Sequence, residues 1–186
     1  MNDWYEFLAA HGGQPRNGVI VSFGEEPGDY AALTRATLVT DIGNLGVLAI
    51  DGPEGVKFLE GQTTCDFHAL AAAASVHGAF CNPKGRMIAD FRAVATASDQ
   101  ILLVMPRDLV ALSLQALGKY AAFFKAKLVD RSADYRLLGV VGAAAQQALA
   151  TGFSTVPAAR GGVACAGPDV LLRLAVLLVA APAHEG

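Results

Sequence analysis

The chain is short of charge, of clustered metal ligands and of long apolar runs, and each shortage narrows what it can do. Only 17% of its 186 residues are charged and the net charge is -3. Bulk charge therefore gives no support to binding driven by nucleic-acid phosphates, and no direct nucleic-acid binding is predicted. Cys65, Cys81 and Cys165 lie far apart with no CxxC, and His11, His68, His77 and His184 supply no HExxH or paired spacing. No metal site is predicted. The longest apolar run, residues 170 to 181, is interrupted by Arg173 and falls well under the roughly 20 residues of a spanning helix. No membrane segment is expected, and with Asp3 and Glu6 in place of a cationic, apolar leader the expected compartment is the cytoplasm.

What the chain has is apolar residues, 53% of the total, enough for one sizeable core. Residues 3 to 10 place Trp4, Phe7 and Leu8 on one helical face, closed by Gly12 and Gly13. A strand follows at Val19 to Phe23, and Asp29 is placed to cap a helix reaching Arg35. Two strands, ATLVTDI and GVLAID, flank a turn at Gly43 and Asn44. Pro53 then opens a helix to Glu60 that buries Val56 and Leu59. The same order of strand, glycine and helix returns near residue 140, aligning Gly52 with Gly142 and Leu59 with Leu149. This reads as a faint internal duplication; the GxGxxG of a dinucleotide site is absent. Between the copies lie a continuous apolar strand, Ile101 to Met105, and a helix from Arg107 to Tyr120 with Leu109, Leu112, Ala116 and Tyr120 as its stripe. A strand over residues 124 to 129 turns Lys125 and Lys127 to one face, and beyond Thr151 the pattern weakens into a loop at Pro157 and a last β-like run.

The most informative stretch is Gly78 to Val94. Asn82, Pro83, Lys84 and Gly85 have the preferences of a type I turn, and Gly85 can take the left-handed conformation of a G1 bulge, so a β-hairpin is predicted. Beyond the turn, Met87, Ala89, Phe91 and Ala93 alternate with Ile88, Asp90, Arg92 and Val94. The first set is assigned to the core. The second puts a carboxylate and a guanidinium on one half-apolar surface, where Asp90 is either a general base or substrate anchor, or half of a surface ion pair.

Residues 41 to 67, DIGNLGVLAIDGPEGVKFLEGQTTCDF, and 81 to 91, CNPKGRMIADF, resemble the YgfZ-type folate-binding proteins, relatives of the glycine cleavage T-protein, an aminomethyltransferase. KYAAFFKAKLVD at 119 to 130 and LLGVVG at 137 to 142 extend the match in the same order. The resemblance implies an α+β fold of mainly antiparallel strands and short helices with a duplicated strand-and-helix unit. Residues 1 to 150 would form a T-protein-like folate-binding domain and 151 to 186 its continuation, ending abruptly. It further implies tetrahydrofolate or a derivative in a central channel lined by strand residues. A role in iron-sulfur cluster assembly or repair, with assembly proteins as partners, and through iron-sulfur enzymes in tRNA modification, comes with the family.

Asp90 falls where the T-protein carries a pair of aspartates, with Ala89 in place of the first. The resemblance makes Asp90 the one catalytic candidate, looking inward onto a cavity at the pterin or its N5 region, and gives Lys84 and Arg86 the glutamate carboxylates. Gln62, Thr64 and Asp66 would line or brace the channel, or form a capping and turn cluster. The family signature KGCYxGQE has no counterpart here, so the chain is expected to be the amino-terminal part of such a protein or a short version without its function. Two other readings stay open: an aminomethyltransferase passing a one-carbon unit to tetrahydrofolate, and a non-catalytic truncated domain with an exposed strand edge.

Overall fold

The computed structural model describes residues 3–17, 19–26, 28–29, 37–68, 70, 75–142, 144–152, 163–165 and 170–174. The helix expected from Asp29 to Arg35, past its first residue, lies outside them, as do the loop at Pro157 and the run beyond 174. In chain order the elements are α1 (Asp3–Ala10), β1 (Gln14–Arg16), β2 (Val19–Ser22), β3 (Thr37–Asp41), β4 (Leu45–Asp51), α2 (Gly55–Glu60), β5 (Ser75–Cys81), β6 (Met87–Ala97) and β7 (Gln100–Pro106). There follow α3 (Arg107–Ala121), β8 (Lys127–Asp130), β9 (Arg136–Gly142), α4 (Ala145–Gly152), β10 (Val163–Cys165) and β11 (Val170–Leu174).

Two sheets carry the fold. A five-stranded antiparallel sheet runs β5-β6-β7-β4-β8, and a four-stranded one runs β10-β11-β9-β3, in which β11 and β9 are parallel. On one face of the larger sheet Phe80, Phe91, Ile50 and Leu103 pack with Phe58 and Leu59 of α2 and Val110 and Leu117 of α3. On the other, Val47, Ala49, Val94, Leu102 and Val104 pack with Leu137 of β9. Because β4 is covered on both sides, its five central residues are all buried and show no alternation. The fold is thus α+β with mainly antiparallel strands, as the resemblance implies.

The duplication is visible in backbone detail. Gly52 and Gly142 have φ of +133° and +132°, values that L side chains avoid. Gly52 follows a seven-residue strand and Gly142 ends one, and each leads into a short helix whose leucine, Leu59 or Leu149, is buried. Upstream, Asp41 Oδ2 accepts from Gly43 N at 3.1 Å and Asp130 Oδ1 from Ser132 N at 2.9 Å, the same aspartate-led turn twice. The two units exchange strands: β3 pairs with β9, and β8 with β4. Consequently β3 and β4, adjacent in sequence across the Gly43–Asn44 turn, belong to different sheets.

Three local expectations shift. The second helix starts at Gly55, since Pro53 and Glu54 form a turn in which Gly55 N donates to Gly52 O at 3.0 Å and Glu54 Oε2 accepts from Lys125 N at 2.8 Å. Val56 there is half-buried while Phe58 and Leu59 are fully enclosed. On α3 the buried stripe is Val110, Ser113, Leu117 and Ala121; Leu112 and Tyr120 are exposed. Ser113 sits inside that stripe because its hydroxyl donates to Met105 Sδ at 3.2 Å, which satisfies a polar group in the core. In α1, Leu8 is buried but Phe7 is exposed and stacks on Trp4 at 5.4 Å.

Candidate functional site

The hairpin closes as its residues dictate. Asn82 Oδ1 accepts from Lys84 N at 2.9 Å and Arg86 N at 3.0 Å, Gly85 N donates to Asn82 O at 2.9 Å, and Gly85 has φ +74°. The register shifts between Phe80 and Cys81, so the tip is bulged. Ala89, Phe91 and Ala93 enter the core, while Met87, at the tip, stays exposed.

Asp90 stands on the opposite face of β6, the face that Val94 continues into the layer between the sheets. Its Oδ2 lies 3.2 Å from Nε2 of His77 on β5, whose direct cross-strand partner is Arg92. The two side chains are 51% and 58% exposed, so the pair contributes little to stability and leaves the carboxylate within reach of a ligand. Asp90 lines neither of two cavities, an apolar one of about 320 Å³ between α2 and the far end of β6 and a larger one of about 520 Å³ below α1. The inward view expected for it is not what the described residues build: the carboxylate is half exposed and pairs across the strands with His77.

The remaining candidates are placed around this strand pair unequally. Thr64 N donates to Ala79 O at 2.9 Å and Thr64 Oγ1 accepts from Ala79 N at 3.0 Å. Ala79 is the cross-strand partner of Asp90, so Thr64 sits one strand beyond it. Asp66 Oδ1 accepts from His68 N at 2.8 Å, a local turn bond, and Gln62 is half-buried just past α2. Lys84 and Arg86 are exposed at the tip; Arg86 precedes Asp90 by four residues, about 13 Å along an extended strand. His77 carries no functional signal of its own in the sequence, where it has no metal-ligand spacing. Its position opposite the Asp90 strand, two residues from Ala79, is the signal that finds it once the hairpin is drawn.

Elsewhere charge is handled structurally. Burial raises Asp51, but hydrogen bonds from Gln100 (2.8 Å) and Arg131 (3.1 Å), with the Arg131 charge, more than offset it and hold the carboxyl below its usual range. Burial pushes the Cys65 thiol up, as expected for a packed cysteine rather than a nucleophile. Among the described residues no group of three His, Cys, Asp or Glu could hold a metal ion, and no helix is long and apolar enough to cross a membrane.

The family model of the GCVT N-terminal domain matches residues 25–160. The chain belongs to that family. As a GCVT N-terminal domain it is 30% identical over 154 residues to the tRNA-modifying protein YgfZ of Yersinia pestis, covering 83% of this chain and 46% of the relative. It is 36% identical over 96 residues to an uncharacterized protein of Haemophilus influenzae, covering 52% of this chain and 34% of that one. The chain thus spans about half the length of the YgfZ relative or less. Among solved structures, the glycine cleavage system aminomethyltransferase T of Bartonella henselae superposes with a TM-score of 0.67 at 22% identity, over 80% of this chain and 42% of that one. That likeness carries the fold.

Proposed function

We propose that this GCVT N-terminal domain acts as part of a YgfZ-type protein that binds tetrahydrofolate, with a role in maintaining iron-sulfur clusters and through them in tRNA modification. The observation that carries the reading is the accessible Asp90 carboxylate, steadied by His77 on the strand face that runs into the layer between the sheets. Its chemistry fits the ligand: a carboxylate accepts hydrogen bonds from the amino and ring N–H groups of a pterin, and the half-buried Ile88 flanks it with apolar surface. Asp90 would hold the pterin, Thr64 would brace the neighbouring strand, and Gln62 and Asp66 the loop beside it. Lys84 and Arg86, one strand-length away, would meet the glutamate carboxylates. Bound tetrahydrofolate supplies amines that accept or release a one-carbon unit.

Transferase activity is disfavoured by Ala89, which is 1% exposed and puts a core methyl where the T-protein carries the first of its two aspartates. The test is calorimetric titration of tetrahydrofolate into the chain and into Asp90→Ala. Loss of the charge-assisted bond is expected to weaken binding about tenfold or more; unchanged affinity removes Asp90 from the site.

A further inference from the structure

α3 carries a second apolar stripe that the core does not use up. Leu109, Leu112, Ala116, Tyr120 and Phe123 recur three and four residues apart, and at about 100° per residue all five lie within about 40° of Ala116 on one flank of the helix. Phe123 stays on that flank because the chain keeps its helical sense past the last turn: Ala122 has φ -59° and ψ -18°, and Phe123 N donates to Tyr120 O at 3.2 Å. The buried stripe of Val110, Ser113, Leu117 and Ala121 is centred about 100° further round. Leu109 and Ala116 are half-buried against the core, whereas Leu112 is 47%, Tyr120 42% and Phe123 83% exposed. A continuous apolar strip of this kind marks an interaction surface.

The strip is its own complement about a two-fold axis beside Ala116. Leu112 and Tyr120 stand four residues either side of Ala116, and Leu109 and Phe123 stand seven either side. In an antiparallel pair of α3 helices each leucine therefore meets an aromatic ring, and the small Ala116 side chains meet where the two backbones come closest. Charge fixes the direction of the pair. Asp108 and Lys119 flank the strip on its solvent side, one towards each end of the helix, and neither joins an ion pair among the described residues. The two-fold operation brings Asp108 of one copy and Lys119 of the other to the same edge, about 7 Å apart along the axis, a gap that a lysine side chain spans. A parallel pair would set like charge against like and align the two helix dipoles.

We propose that this flank of α3 docks a second copy of the chain, giving a two-fold symmetric dimer through antiparallel α3 helices. One helix face from each copy makes a small interface, below about 1,200 Å² in total, so dissociation in the micromolar range is expected. α3 packs on the Phe91 face of the larger sheet, opposite the face that carries Asp90, so the dimer and the folate reading stand or fall separately.

The test is sedimentation velocity of the 186-residue chain from about 10 µM to about 1 mM. A reversible equilibrium between monomer and dimer is expected, with no larger species. Leu112→Ser and Phe123→Ser change exposed side chains and should each weaken the dimer about tenfold or more. Lys119→Asp alters two symmetry-related pairs at once and should weaken it about tenfold, Asp108→Lys should do the same, and the two together should recover the parent's affinity. A chain that stays monomeric throughout overturns the proposal and leaves the face to a partner of another kind, and open-ended association overturns it too; neither result needs a variant to fold. A dimer indifferent to Phe123→Ser has its interface elsewhere, and a double charge reversal that recovers nothing rules out the antiparallel pairing.

Discussion

Gly52 tests the duplicated unit most sharply, because two separate costs meet there and a second glycine isolates one of them. An added Cβ would fall on the carbonyl oxygen of Lys125, with Lys125 C at 3.1 Å and Ala126 Cα at 3.2 Å, and the backbone already sits at φ +133°. Lys125 cannot simply retreat, since its N–H is held by Glu54 Oε2 at 2.8 Å and it leads into β8. At Gly85, φ is +74° but nothing lies within 4 Å of the same added atom. Gly85→Ala therefore carries only the left-handed penalty, about 1 to 2 kcal/mol, partly offset by the stiffer unfolded chain. The net is about 1 kcal/mol. Gly52→Ala carries a comparable penalty plus a backbone collision, and is expected to cost about 3 kcal/mol or more, against a total stability of roughly 5 to 15 kcal/mol. With a urea dependence of about 2 kcal/mol per molar, the denaturation midpoint should fall by about 0.5 M for Gly85→Ala and about 1.5 M for Gly52→Ala. Equal shifts, or a Gly52 variant as stable as the parent, would refute the close approach of the first repeat's glycine to the strand donated by the second.

Further tests follow from single contacts. Asp51 is held below its ordinary pKa, so its contribution to stability is complete above the unfolded carboxyl value near 3.9 and disappears as pH falls through the lower folded value. Asp51→Asn should flatten the acid limb of a stability-against-pH curve, and an unaltered limb would contradict the pairing with Arg131. Ser132→Ala leaves the Val47 N–H without its partner in the core and should cost about 1 to 3 kcal/mol by chemical denaturation; a loss under a few tenths would show that the bond does not matter. Cys81 is exposed while Cys65 is packed against β5 with its thiol pushed up, so a maleimide followed by peptide mass spectrometry should label Cys81 well before Cys65. Faster labelling of Cys65 would place that thiol outside the core.

Much of this was legible in residues whose local chemistry decides their conformation. Asn-Pro-Lys-Gly wrote the turn, and the alternation of Ala89, Phe91 and Ala93 wrote the core face of β6. Gly52 and Gly142 marked the repeat because a φ near +130° leaves glycine as the suitable residue. The parts that stayed hidden depend on partners distant in sequence. Nothing near Gly43 says that β3 will pair with a strand about 100 residues away, since pairing across sheets is a long-range choice and local periodicity records only burial. On α3, Ser113 broke the apolar count and displaced the inferred stripe by one residue, because the sulfur that satisfies its hydroxyl lies on another element. The exposure of Asp90 was equally beyond reach: alternation fixes the face of a strand but not whether something covers it. The cavity below α1 needed the two turns to meet in space, and no motif announces that.

A folate-binding role requires that the Asp90 face of the hairpin meet the ligand. Following backbone amide resonances while tetrahydrofolate is added would test it without any mutation. Shifts concentrated at His77, Ala79, Asp90 and Arg92 are expected, with α4 unmoved. Perturbations confined to other elements, or none at saturating ligand, would contradict it.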